Sequence, residues 1–241
     1  MILLLKRALT LLAVMVAVLM PITAAFASIP ANPRFESSAR MAKWNHDGFI
    51  FENDMWNCPR AACGKQTIWA NSPKDWGAVS TMAAGNVAIL TYPHIGKLFN
   101  ERRVSGFKQI RNGFTESMPR NITGMHAEAA DDVWMNHYNI EMMIWVDRIG
   151  RSLAGSTRVG TATISRQHFT VWKFGSSEFI FVLDHNETSG MTNVLGSINW
   201  LIRHGRVPAG VTLSQVQFGW EIASTHGRAA SFKISKYWVA T

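Results

Sequence analysis

The chain has 241 residues with a formal charge of +8, 47% hydrophobic and 17% charged residues, ten Trp against three Tyr, and two Cys. This length and apolar share suit one domain with a sizeable core. No run of Lys and Arg interleaved with aromatics marks a nucleic-acid interface, and no paired Cys or His motif completes a metal site, so neither a metal nor another cofactor is expected.

The first residues read as an export signal. Lys6 and Arg7 precede an apolar run from Ala8 to Met20, Pro21 interrupts it, and Ala25-Phe26-Ala27 supplies a cleavage pattern. The run is too short to span a bilayer. The expected organisation is a signal peptide over residues 1–27 and a single domain over 28–241. The product is expected to be secreted, monomeric and without lasting membrane association. Export makes a Cys58–Cys63 disulfide the default.

After a polar, irregular lead-in over 28–48, short strand patterns recur between Gly, Asn, Asp and Ser clusters. They are Phe49–Phe51, Val87–Tyr92, an alternating run over Gly160–Thr170, Phe179–Leu183 and Lys233–Val239. That spacing is the signature of a sandwich or barrel. One segment differs: Val194, Leu195, Ile198, Leu201 and Ile202 repeat at helical spacing, and Gly205 follows as a stop. The expected fold is therefore all-β with one helix packed on it.

Two strand patterns carry a carboxylate in mid-run. In Tyr138–Val146, alternation sends Met142, Ile144 and Val146 to the core, and Glu141, Met143 and Trp145 to the other face. In Gln215–Ala223, Val216, Phe218, Trp220 and Ile222 face the core, and Gln215, Gln217, Gly219 and Glu221 face away. Gly219 reads as room for a ligand to approach the backbone. A glutamate among strong β-formers is costly unless solvated or paired. Either residue alone reads as an open-sheet side chain, but Met143 and Trp145 beside Glu141 suggest a lined groove. Asp132 and Trp134 share a strand face in Glu128–Trp134, and a carboxyl beside Glu141 would tune its ionisation. A solvated strand end at Asp131-Asp132 is the alternative.

At these residues the sequence resembles glycoside hydrolase family 12, the endo-β-1,4-glucanases and xyloglucanases. Asn53-Asp54-Met55-Trp56-Asn57 is similar to the family's early Asn-Asn-x-Trp motif. Glu116–Pro119 and Ala127–Trp134 are similar to the stretch before the nucleophile strand. Glu141–Trp145 resembles the nucleophile motif and Phe218–Ile222 the acid/base motif. The resemblance implies a β-jelly-roll sandwich of two curved antiparallel sheets, one helix on the convex side, and a cleft across the concave face. It implies a retaining hydrolase of β-glucan with Glu141 as nucleophile and Glu221 as general acid/base, their carboxyls about 5–5.5 Å apart. Asp132 takes the place of the aspartate that hydrogen-bonds the nucleophile. Trp56 takes that of a sugar platform, beside Asn53, Asp54 and Met143, and Trp44 is a second candidate platform. Two positions depart from the family pattern. Asp54 replaces the second Asn of the early motif, and Asp131 replaces a usual Tyr, adding charge expected near the site. A carbohydrate-binding or wall-loosening sandwich with little turnover is the main rival reading, but both glutamates are present.

Overall fold

Alternation of apolar and polar residues makes strand the dominant element among the described residues. The computed structural model describes residues 28–59 and 63–241, so the segment read as a signal peptide lies outside the described residues. The strands run β1 (Phe35–Ser37), β2 (Lys43–His46), β3 (Phe49–Glu52), β4 (Lys65–Ser72), β5 (Asp75–Thr81), β6 (His94–Arg103) and β7 (Arg111–Ser117). They continue with β8 (His126–Met135), β9 (Ile140–Ile149), β10 (Thr157–Ile164), β11 (Gln167–Phe174) and β12 (Glu178–Leu183). After β13 (Ser189–Thr192) comes the helix α1 (Val194–Arg203), then β14 (Thr212–Ser224) and β15 (Ala230–Ala240). One sheet has six strands in the order β1-β4-β5-β15-β7-β13, the other nine in the order β10-β11-β12-β9-β8-β14-β6-β3-β2. Pairing is antiparallel except between β12 and β9. Among the described residues this is the all-β jelly-roll sandwich with one helix.

The core lies between the sheets, where the alternation sends it. Val216, Phe218, Trp220 and Ile222 of β14 and Met142, Ile144 and Val146 of β9 are all buried. They meet Trp76, Phe114, Phe232, Ile234 and Tyr237 of the six-stranded sheet. Phe218 stacks on Phe114 at 4.9 Å between ring centroids, and Trp220 contacts Trp76 at 5.1 Å. Each such fully buried large side chain contributes on the order of 1.5–3 kcal/mol. The helix closes the core beside β10 and β7, burying Val194, Ile198 and Leu201, with Trp200 edge-on against Phe181. Asn193 Oδ1 caps it by accepting from Gly196 N–H, and Gly205 ends it at φ +63°.

Three local expectations are corrected. The lead-in is not irregular: it forms β1 and β2, short edge strands whose exposed polar residues conceal the pattern. Val87–Tyr92 is not a strand but a loop held by one bridge, Thr91 to Ile222, with Val87 67% exposed. The Gly160–Thr170 run is two strands, because Ser165 and Arg166 both adopt positive φ and fold β10 onto β11 in a tight hairpin.

Candidate active site

The concave face of the nine-stranded sheet carries the site, on β9, β8 and β14 as neighbours. Alternation points Glu141, Met143 and Trp145 of β9, Glu128, Ala130, Asp132 and Trp134 of β8, and Gln217 and Glu221 of β14 to this face. Glu141 stands opposite Trp134, and Glu221 opposite Glu128, six residues away along β8. A flat sheet would hold the two glutamates far apart. Bulges at Ala129/Ala130 and at both ends of β14 bend these strands. The two side chains line one cleft of about 530 Å³. Trp56, Asn57, Val87, Trp145, Arg151, Phe174 and Glu178 are also in its walls.

The floor of the cleft is apolar, with Ala130, Met143, Trp145, Ile180 and Val182 packed together and buried. Carboxyls above such a floor resist ionisation. Burial, then the charges of Glu178 and Glu221, push Glu141 up to about 8. Burial and the facing Glu128 raise Glu221 well above the usual range. Burial, Glu141 and Glu221 do the same for Asp132, although Trp134 Nε1–H donates to its Oδ2 at 2.8 Å. Burial and the mutual repulsion of these carboxyls thus hold the cluster above the usual carboxylate range.

The structure brings together Glu141, Glu221, Asp132, Met143 and Trp56, the last 55% exposed at the cleft wall. Asp54 stays on the concave side, its Oδ2 3.6 Å from His94 Nδ1. Asn53 does not reach the cleft. It is fully buried, donating through Nδ2 to the Ala39 carbonyl and accepting at Oδ1 from Gln66 Nε2. Trp44 faces the other way, stacked between Phe35 and His46 and packed on Phe51 of the core. Cys58 and Cys63 are disulfide-bonded. Asp131 adds no charge to the cleft. It points into the inter-sheet core, where Thr192 Oγ1–H donates to it at 2.6 Å and Asn112 Nδ2–H also donates, while burial holds it up to about 7. Neither it nor Asp132 is a solvated strand end. Gly219 leaves no room for a ligand: a Cβ there would lie 2.2 Å from the Pro93 carbonyl oxygen, so the glycine admits the crossing loop.

Glu178, Glu128 and Arg151 are site residues that the sequence reading missed. Glu178 reaches Glu141 only through the parallel β12–β9 pair, which no local pattern announces. Glu128 was detectable, since it lies four residues before Asp132 and therefore on the same strand face.

No family model matches the sequence. The fold is nonetheless that of solved structures. A family 12 xyloglucanase from Bacillus licheniformis superposes with a TM-score of 0.75 at 22% identity, over 86% of this chain and 99% of that one. The xyloglucanase domain of NopAA, a type three effector from Sinorhizobium fredii solved with cellobiose, gives 0.77 at 22% identity, over 87% and 99%. Endoglucanase 3 of Trichoderma harzianum gives 0.74 at 20% identity, over 88% and 99%. At these identities the likeness is one of fold: this chain has the jelly roll of the family 12 glycoside hydrolases.

Proposed function

We propose that the protein is a secreted, retaining endo-β-1,4-glucanase acting on cellulose-like glucan or xyloglucan. The observation that carries this reading is the meeting of Glu141 and Glu221 in one cleft above an apolar floor, with Trp56 exposed at its wall. The neighbours of the same fold are xyloglucanases and endoglucanases, one of them bound to cellobiose. Secretion is supported by the N-terminal export pattern and the disulfide. A monomer with β-glucan as its partner fits one open cleft served by a single chain.

In this reaction Glu221 gives its proton to the glycosidic oxygen while a Glu141 carboxylate oxygen attacks the anomeric carbon. The bond to the leaving chain breaks, and a glycosyl ester forms on Glu141. Glu221, now a carboxylate, takes a proton from water. The oxygen of that water attacks the anomeric carbon, releases Glu141 and leaves a β-configured product. Asp132 beside Glu141 holds a proton that hydrogen-bonds the nucleophile. Trp56 offers a flat face to a glucose ring.

Reducing-sugar release from carboxymethylcellulose, barley β-glucan and xyloglucan tests the proposal. Glu141→Gln should lower turnover by ~10³-fold or more with the fold intact. Glu221→Ala should recover activity with added azide on substrates bearing good leaving groups, since the nucleophile remains. A first-formed α anomer by NMR would exclude the two-step path. Tight binding to a glucan without release would instead favour a binding protein.

A further inference from the structure

Across from Glu221 stands a second carboxyl that the two-step reaction does not use. Glu128 of β8 is the cross-strand partner of Glu221, is fully buried, and lies within hydrogen-bonding reach of its carboxyl. Two carboxylates in buried contact cannot both ionise, so the pair shares one proton at neutral pH. The surroundings decide where that proton sits. Arg151 Nε is ion-paired with Glu128 Oε2, and its guanidinium is fixed 5.6 Å from the Trp145 ring centroid. Arg148 of β9 faces Glu128 from the other side of β8. Glu221 senses Arg151 as well, but its further charged neighbours are the acidic Glu178, Glu141 and Asp132, and Tyr92 approaches from the loop before β6. An arginine keeps its charge at any working pH. Burial raises Glu128 as well, but the Glu221 hydrogen bond and Arg151 work against that rise, whereas at Glu221 burial and Glu128 act in the same direction.

We propose that Glu128, held ionised by Arg151, is a positioning residue that keeps the shared proton on Glu221 and so sets the alkaline limit of catalysis; this rests on the acid/base role proposed for Glu221. When Glu221 passes its proton to the glycosidic oxygen, two carboxylates face each other. Their repulsion opposes this first step. It makes Glu221 the stronger base toward water in the second step, where the proton is regained and the pair restored.

The test compares wild type, Glu128→Gln, Arg151→Gln and Arg151→Lys by two measurements. One is the pH profile of kcat/KM on cellotetraose, whose sugar leaving group needs the acid. The other is an NMR titration with glutamate labelled by ¹³C at the side-chain carboxyl, which reads protonation without turnover. Glu128→Gln should move the alkaline limb and the Glu221 titration toward acid pH by about one unit or more, the effect of removing a like charge. Arg151→Gln should move both toward higher pH, and Arg151→Lys should restore most of the difference. An unmoved limb and titration in Glu128→Gln would overturn the proposal. So would a wild type in which Glu128 keeps its proton to higher pH than Glu221. Should Glu128→Gln not fold, the wild-type titration and the two Arg151 variants decide alone. Titration shifts as stated in a wild type that cleaves no glucan would overturn the acid/base reading of Glu221, and with it the catalytic role of Glu128, while leaving the proton pair in place.

Discussion

Glu178 lies outside any motif yet acts on the ionisation of Glu141, which lies inside one. It stands beside Glu141 in the parallel pair, and after burial its charge does most to lift Glu141 to about 8. In the proposed reaction Glu141 must be ionised to attack, so this neighbour would narrow activity from the acid side. Replacing Glu178 by Gln removes a negative charge, lowers the Glu141 pKa, and should carry the acid limb of the kcat/KM profile to lower pH. The alkaline limb should move in the same direction by less, because Glu178 also faces Glu221. A profile whose acid limb stays fixed or moves upward would show that Glu178 does not act on the nucleophile. Asp131 gives the converse lesson. One residue from Asp132 in sequence, it lies on the opposite sheet face and titrates against Thr192 and Asn112 rather than substrate.

At the scale of an element, the loop before β6 depends on a single missing side chain. It crosses β14 through Trp220 N–H to the Pro93 carbonyl, Ile222 N–H to Thr91 and Leu90 N–H to Ile222. Those bonds are possible only because Gly219 presents no Cβ to Pro93 and His94. Gly219→Ala should push the loop away and cost about 1–3 kcal/mol, as overpacking against backbone does. Urea unfolding measures it, and an unchanged midpoint would show that the loop yields freely. Since Val87 and Ile89 of this loop wall the cleft, weakened substrate binding should accompany the loss.

Across the whole molecule, the buried carboxyls make stability fall as pH rises. Glu116 is held up to about 8 by burial and a hydrogen bond with Asp147, although Trp220 Nε1–H donates to it at 3.0 Å. Asp131 is held up to about 7 and Glu141 to about 8. Their ordinary values are 4.5, 3.8 and 4.5. Between those limits the folded protein binds more protons than the unfolded chain, so the unfolding free energy decreases with pH. The contribution is whole below about pH 4, where both states are protonated, is lost progressively up to about pH 8, and is then flat. The thermal midpoint should therefore decline from pH 5 to pH 8, and Glu116→Gln should flatten that slope. A midpoint that rises across this interval would contradict the assignment of buried, protonated carboxyls.

Alternation by itself determined an all-β fold, the core faces of β9 and β14, the helix with its Gly205 stop, and the strand face that carries Glu141 and Glu221, while the choice of sandwich over barrel came from the family resemblance. These follow from local periodicity, because a strand or helix with one apolar face must bury it. Trp56 was legible through its motif. Tertiary structure alone decided that Asn53 and Trp44 turn away from the cleft, that Val87–Tyr92 crosses as a loop, and that Glu178, Glu128 and Arg151 join the site. It also decided that glutamates six residues out of register share one cleft. Those outcomes depend on strand pairing, bulges and the bend they impose, which join residues distant in the chain. A one-dimensional pattern specifies which face a side chain takes, but not what stands opposite it.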